Sequence, residues 1–418
     1  IGMRGNLSRW PTAKSLKENL CEPIAQRFQN AGYNTAAVST NMLLSSVNKE
    51  ADHQDFAQGF LTWYGINYST PFEDNFLSNV VAKTLMSLVL PDKIVHYPLR
   101  RLLYPNDIKN YLPHYKEGER TTNSMLKYLR ELQSEDRPYF MMAQYLDPHS
   151  PYIAPDPVRN TIARYDSLPL GHTSAPEEEY AMRVELRGYC RQDNLDAENF
   201  TPLSNYLYDL YKEEVAYFDQ QLGRLLEQVK QDNRETIIVF VSDHGEGFGL
   251  HKNVEHGETL YNEELLVPFI ISGPGVPKAQ ELPFQPDLVD ATRTLLELAG
   301  LSSVNIDGQN VLDPKYSVRP RVAVMLNHIS VADGQFKLIA RLEYPENDSA
   351  YELTPLSLYN LGDDPKESLN LLQEMPGKVE ELVRYLSVRL KRDMYPHIEP
   401  RELTLKQQGH LHELGYTE

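Results

Sequence analysis

The sequence contains only two cysteines, Cys21 and Cys190. Two cysteines are too few for the disulfide framework of a small secreted protein, and they leave the cellular compartment undecided. No run approaches the roughly 18 consecutive apolar residues that cross a bilayer, so we expect no membrane span in this chain. The first residue is Ile1 rather than methionine, and an upstream segment, including any signal peptide, can therefore be absent.

Basic residues are scarce relative to acidic ones. The chain has 41 Lys and Arg against 59 Asp and Glu, a formal net charge of -18. Nucleic-acid binding depends on clustered Lys and Arg that displace counterions from phosphates, so we expect no nucleic-acid partner. The same charge repels anions at long range. Any anion site therefore needs local cations or a bound metal.

The pattern of apolar residues predicts two packed units. A chain of 418 residues exceeds an ordinary single-core domain and has room for a large domain with a smaller partner. Helical and strand-like periods alternate along it. Helices are predicted over 12–31, 125–132, 206–229, 287–299 and 376–391. Strands are predicted over 33–39, 139–146, 236–241, 267–271, 322–326 and 336–342.

This alternation predicts an α/β fold with a mostly parallel sheet and helices on both faces. The rhythm breaks over 65–120 and 150–203, which are rich in Pro, Tyr and charged residues. These segments are too long for ordinary connections, and insertions of this kind usually shape a pocket or its rim. The short strands and the helix after residue 318 predict a smaller α+β unit. The predicted domains are therefore 1–317 and 318–418.

Polar side chains follow directly after the strand predicted over 236–241. Asp243 and His244 stand at its end, followed by Gly245, and ligands of open α/β sheets bind at the carboxyl ends of strands. An Asp and a His at such a place can offer oxygen and nitrogen to one cation, although the pair alone is more typical of an Asx turn. His251, Glu255 and His256 follow in the same Gly-rich loop, and His149 follows the strand predicted over 139–146. Together they favour a metal and anion site.

Several of these segments resemble the sulfatase family of the alkaline phosphatase superfamily. The resemblance rests on 242–246, on His256-Gly257 with the following 260–275, on 31–36, on 149–152 and on 358–370. It implies a doubly wound α/β domain, a small carboxyl-terminal subdomain, and hydrolysis of a small anionic sulfate ester with a divalent cation, commonly Ca²⁺.

The resemblance also implies roles for single residues. Asp243 and His244 match metal-binding positions, and the His at 244, where many arylsulfatases have Asn, admits Mn²⁺ or Zn²⁺ beside Ca²⁺. His149 matches a catalytic, anion-contacting His. His256 stands where relatives place a Lys or His that contacts the anion and its leaving oxygen, so it can act as a general acid. Asn6 matches an Asn of the anion pocket or serves as a turn residue.

The nucleophile of the family is a Cys or Ser in a Cys/Ser-x-Pro-x-Arg signature that is converted to formylglycine, and this sequence contains no such signature. The stretch Cys21-Glu22-Pro23 mimics it, but Ala25 replaces the Arg. We therefore expect the formylglycine and a metal-binding Asp pair upstream of Ile1, and we expect this chain alone to be inactive.

Three functions remain open. The first is sulfate ester hydrolysis. The second is hydrolysis of a phosphodiester or phosphonate monoester, which His244 favours together with Ser39-Thr40-Asn41-Met42, because this stretch replaces the Gly-Lys-Trp-His of arylsulfatases. The third is a truncated, catalytically inactive chain.

Overall fold

The computed structural model describes residues 22–40, 58–65, 117–164, 167–173, 178–232, 234–343 and 352–392. Its α-helices, in chain order, are α1 (Ile24–Asn30), α2 (Glu117–Gln133), α3 (Glu178–Arg191), α4 (Phe200–Lys230), α5 (Asn262–Leu265), α6 (Leu288–Leu298) and α7 (Pro376–Arg392). None of the helices in these ranges is long and apolar enough to cross a membrane.

The strands form two larger sheets and two strand pairs. In chain order they are β1 (Asn34–Ser39), β2 (Thr62–Gly65), β3 (Tyr139–Gln144), β4 (Ile238–Val241), β5 (Gly247–Phe248), β6 (Val254–Glu255), β7 (Phe269–Ser272), β8 (Arg321–Met325), β9 (His328–Asp333), β10 (Phe336–Glu343) and β11 (Glu352–Asn360). The chain divides into two compact units, one formed by 33–232 and the other by 1–32 with 233–418.

The unit 33–232 contains a parallel sheet in the order β2-β1-β3. Its central strand is buried along its whole length, as parallel strands covered on both faces usually are. Helix α2 packs on β1 and β3, and the 31-residue α4 packs on α2 and α3. Met125, Leu126 and Leu129 of α2 are buried, at the spacing that places them on one helical face.

The other unit contains the pair β4-β7 and an antiparallel sheet in the order β11-β10-β9-β8. Helix α6 begins with a capping box between Asp287 and Asp290, which satisfies amide groups that a helix start otherwise leaves unpaired. Leu382, Leu386 and Leu390 of α7 pack on buried residues of the four-stranded sheet. This part of the chain is therefore an α+β region with its own core.

The predicted elements agree with the structure in type, and the α/β fold with a carboxyl-terminal α+β region is confirmed. The direction of one strand pair is a new finding, because β4 and β7 run antiparallel. The insertion predicted over 150–203 contains α3 and the first turn of α4. The amino-terminal part of the helix predicted over 12–31, and most of the insertion predicted over 65–120, lie outside the described residues.

Candidate active site

The turn that follows β4 brings three of the predicted site residues together. The carboxylate of Asp243 is 73% exposed, and its Oδ1 lies 3.8 Å from Nε2 of His244. The ring of His244 stacks on the ring of His256, with centroids 3.9 Å apart and planes 26° apart. We call residues 242–246 the metal turn, after the role that the sequence predicts for Asp243 and His244. The turn presents one carboxylate and one imidazole at the strand end, and the imidazole of His256 lies against it.

The tautomer of His244 follows from its neighbour. Its Nδ1 donates a hydrogen bond to the carbonyl oxygen of Gly245 at 2.8 Å, so the neutral ring carries its lone pair on Nε2, on the side of Asp243. A carbonyl that fixes the tautomer of a metal-ligating His is a recurrent arrangement. Asp243 and His244 therefore fit two ligands of one divalent cation. Among the described residues no group of three His, Cys, Asp or Glu side chains is placed to hold a metal, so they account for only part of such a site.

His256 is buried and oriented by an acid. Its Nδ1 donates to Oε1 of Glu246 at 2.9 Å, and neither side chain is more than 5% exposed. Burial lowers the pKa of His256, but Glu246, together with the charges of Glu264 and Asp243, outweighs that effect, and the net shift of the pKa is upward. A buried imidazole whose pKa is shifted upward suits a general acid. Glu246 was not predicted as a site residue.

The backbone of the metal turn rests on α5. The amide of Gly245 donates to the carbonyl oxygen of Glu264 at 2.7 Å, and the amide of Glu246 donates to that of Glu263 at 3.0 Å. A β-carbon at Gly245 would overlap the carbonyl oxygen of Glu263. Glycine is required here because the two backbones approach so closely.

A single carboxylate holds the loop that carries His256. Glu264, which is 3% exposed, accepts hydrogen bonds from the amides of Gly257 and Thr259, from the hydroxyl of Thr259 and from the side-chain amide of Asn253. Its four donors span 253–259. The sequence signal for Glu264 is a charged residue between the apolar stretches around Leu260 and Val267, which alone does not distinguish a buried anchor from a surface residue.

His251, the third histidine of this loop, has different contacts. Its ring stacks on Tyr261 with centroids 3.7 Å apart, and its Nε2 donates to the carbonyl oxygen of Glu367 at 3.1 Å. Its Nδ1 lies 3.5 Å from Oε1 of Glu263, an ion-pair contact rather than a hydrogen bond. Glu255 is buried in β6. The structure therefore places His256 beside His244, and His251 against Tyr261 and the carbonyl oxygen of Glu367.

His149 lies in the unit 33–232, after β3. Its amide donates to the carbonyl oxygen of Leu146 at 2.8 Å, and its Nδ1 donates to that of Ser150 at 2.6 Å. The segment that follows is held by two buried acids. Glu179 of α3 accepts from the amide of Tyr152, and Glu213 of α4 accepts from the amides of Ile162 and Ala163. His149 is thus fixed in one tautomer, and hydrogen bonds to two buried acids fix the segment that follows it.

At the end of β1, where arylsulfatases have cationic residues, this chain has two buried polar residues with partners inside the protein. Ser39 and Thr40 are fully buried. The hydroxyl of Ser39 donates to the side chain of Gln144, and that of Thr40 donates to the backbone of the same residue. These two residues therefore have structural partners on β3. Asn6, Cys21 and Met42 lie outside the described residues, and Cys190 is a buried thiol on α3.

Comparison with known proteins is consistent with this arrangement. The sulfatase family model matches residues 6–301. The chain is 26% identical over 282 residues to the sulfatase YidJ of Escherichia coli, which covers 66% of this chain and 53% of that protein. It is 24% identical over 286 residues to the choline-sulfatase of Rhizobium meliloti, covering 62% of this chain and 54% of that protein. The chain thus spans about half the length of the curated relatives it matches.

Solved structures support the same fold. The phosphonate monoester hydrolase SpPMH from Silicibacter pomeroyi superposes with a TM-score of 0.58 at 18% identity, covering 92% of this chain and 83% of that one. At this identity the likeness concerns the fold. The family match spans most of the chain, from residue 6 to residue 301, and includes the metal turn and His256. The chain belongs to the sulfatase family of the alkaline phosphatase superfamily.

Proposed function

We propose that the protein containing this chain hydrolyses sulfate esters. The observation that carries the proposal is the buried His256, which donates to Glu246 and stacks on His244 beside the exposed Asp243. In this proposal the arrangement combines a proton donor with two metal-type ligands. Sulfate ester cleavage needs both, because negative charge grows on the sulfuryl oxygens and on the departing alkoxide.

In this proposal Asp243 and His244 hold part of a divalent cation site. The cation, Ca²⁺ by family resemblance with Mn²⁺ or Zn²⁺ admitted by His244, would neutralise charge on the sulfuryl oxygens. By the motif match, His149 would contact the substrate anion, and its Nδ1 donates to the carbonyl oxygen of Ser150. Asn6 would contribute an amide to the same anion, a role that rests on the motif match alone.

His256 acts as the general acid in this scheme. Its Nδ1 is engaged by Glu246, so the proton it transfers is the one on Nε2. The upward shift of the pKa of His256 favours the protonated form that can donate this proton. When the bond between sulfur and the ester oxygen breaks, the alkoxide takes this proton and leaves as the alcohol. The nucleophile in this proposal is the formylglycine predicted upstream of Ile1, and the 418-residue chain by itself would be inactive.

A phosphodiester or phosphonate monoester is the second candidate substrate. His244 and the buried Ser39-Thr40 pair support it, because both depart from the arylsulfatase pattern, and sulfuryl and phosphoryl groups share a tetrahedral shape. The choice between the two anions depends on charge as much as on size, so it is a question for measurement.

The decisive experiment is hydrolysis of matched aryl sulfate, phosphodiester and phosphonate monoester substrates by the upstream-extended protein. Each substrate is tested without metal and with Ca²⁺, Mn²⁺ or Zn²⁺. A metal-dependent preference for the sulfate supports the proposal. A preference for either phosphorus substrate would replace it with the second candidate, and no turnover of any substrate by a metal-loaded, formylglycine-containing protein would show that the chain is inactive.

A further inference from the structure

A buried ion pair lies behind the helix that supports the metal turn. Nζ of Lys337, on β10, is 2.7 Å from Oε1 of Glu367, and the two side chains are 2% and 1% exposed. Burying two opposite charges costs desolvation energy that their attraction offsets only with good additional contacts. The pair therefore needs additional hydrogen bonds, and a single residue provides them to both side chains.

That residue is Asn262, the first of α5. Its backbone amide donates to Oε2 of Glu367 at 2.6 Å, and its side-chain oxygen accepts from Nζ of Lys337 at 2.9 Å. Glu367 has φ 55, a left-handed conformation that residues with a β-carbon rarely adopt. The chain thus accepts an unfavourable backbone conformation at the residue whose carboxylate and carbonyl contact Asn262 and His251.

Helix α5 connects the position of Asn262 to the position of the metal turn. The amides of Gly245 and Glu246 donate to the carbonyl oxygens at the end of α5, and Glu246 in turn orients His256. α5 has only four residues, too short to be stable without tertiary contacts. Its position is therefore set by what it touches, and Asn262 is its anchored end.

We propose that Lys337 and Glu367 are positioning residues for the metal turn, acting through Asn262 and α5. This inference rests on the proposed function for its metal, but its structural step concerns only this chain. Neither residue contacts the turn directly, and neither was predicted as a site residue. Without the pair, α5 would shift, the two amides of the turn would lose their acceptors, and the turn would hold a cation less tightly.

The test separates positioning from stability by comparing two variants of the full chain. Glu367→Gln leaves Lys337 buried without a counter-charge, so it should lower the melting temperature as well as loosen the turn. The double variant Lys337→Met/Glu367→Leu removes both charges, and replacement of a buried pair by apolar residues is often neutral for stability. It also removes both contacts to Asn262.

The first readout is backbone amide hydrogen exchange over 242–248, measured by mass spectrometry. We expect exchange about tenfold faster in the double variant than in the wild type, the factor that the loss of one hydrogen bond typically produces. Leu386→Ala, which opens a cavity in the core of the same sheet without touching α5, is the matched control. It should lower the melting temperature and leave exchange over 242–248 unchanged.

The second readout is Mn²⁺ affinity by calorimetry, with the metal alone as the probe. The double variant should bind about tenfold more weakly, while Leu386→Ala keeps the wild-type affinity. If the double variant keeps both wild-type exchange and wild-type affinity, the pair has no positioning role. If the wild type binds no Mn²⁺ even when the upstream segment with its predicted Asp pair is present, the metal site of the proposed function is wrong, and the exchange rates alone decide the positioning role.

Discussion

Glu246 accepts a hydrogen bond from Nδ1 of His256 at 2.9 Å, and both side chains are almost wholly buried. The two residues stand ten positions apart and meet because the short strands β5 and β6 pair between them. The contact orients the imidazole and favours its protonated form. Several measurable consequences follow from this site and from the contacts around it.

Glu246→Gln should lower kcat of the upstream-extended protein about 10- to 100-fold, the usual effect of removing a group that orients a functional imidazole. The glutamine can still accept the hydrogen bond from His256, so the decrease in kcat measures the contribution of the negative charge of Glu246. Steady-state kinetics with an aryl sulfate measure it. Glu258→Gln, at an exposed position of the same loop, is the control and should retain full activity. Equal activity of the two variants would show that the negative charge of Glu246 does not contribute to turnover.

His256→Ala should lower turnover about 10²- to 10⁴-fold if His256 is the general acid. The loss should be largest for esters of alcohols with a high pKa, whose alkoxides need a proton, and smallest for activated aryl esters. The measurement is kcat for a series of leaving groups. A loss that is the same across the series would remove the role of His256 as a proton donor.

Asp243→Ala should abolish stoichiometric binding of a divalent cation, because it deletes the exposed carboxylate of the metal turn. Metal content after dialysis, measured by mass spectrometry, is the readout. Asp313→Ala, at another exposed Asp in a turn, is the control. If the Asp243 variant retains one equivalent of metal, the cation site lies elsewhere.

The stability of the chain should depend on the protonation of His251. Burial lowers the pKa of His251, but the Glu263 carboxylate and the carbonyl oxygen of Glu367 outweigh that effect, and its pKa is raised from 6.5. Burial also raises the pKa of Glu263, more than His251 lowers it, so both groups favour the protonated state of the pair. The folded state therefore binds protons more tightly than the unfolded state.

The stabilisation from His251 is fully present below pH 6.5 and is lost as the pH rises through the raised pKa. Melting temperatures of the wild type and of His251→Gln should therefore be compared between about pH 5 and pH 9. The advantage of the wild type should shrink toward the alkaline end. A difference that is constant over the whole range would show that His251 contributes no proton-linked stability.

Asp290→Ala should destabilise the unit that contains α6 by about 3–5 kcal/mol, because it removes a buried carboxylate that accepts hydrogen bonds from several donors. Asp290 is fully buried. It binds the guanidinium of Arg319, the hydroxyl of Tyr316 and the amides of Asp287 and Gln309. Thermal or urea unfolding measures the loss. The exposed pair of Lys230 and Glu227 offers a contrast, because Glu227→Ala should change stability by less than about 0.5 kcal/mol.

The sequence predicted the elements well because their signals are local. The spacing of apolar residues in the sequence indicates the buried strand β1 and the amphipathic helices α2 and α7. The metal turn was predictable for a similar reason, because Asp243 and His244 stand next to each other at a strand end. The direction of β7 relative to β4 was not predictable in the same way, because apolar content does not encode strand direction.

The supporting residues escaped prediction because their meaning is non-local. Lys337 and Glu367 look like surface charges in the sequence, and only the fold brings both to Asn262, which lies 75 and 105 positions away. The difference between His251 and His256 is of the same kind. Both belong to one short loop, but their partners come from different elements, and no spacing rule distinguishes them.

The four hydrogen bonds that Glu264 accepts have a consequence for the catalytic cycle. Both ends of the loop 253–259 are hydrogen-bonded to one buried carboxylate. His256 is therefore not part of a lid that opens and closes. In the proposed function, the general acid would therefore already be in place when a substrate arrives. Any closure that excludes water, and any slow opening that limits product release, has to come from other segments of the protein. The loop 253–259 keeps a fixed position while those segments move.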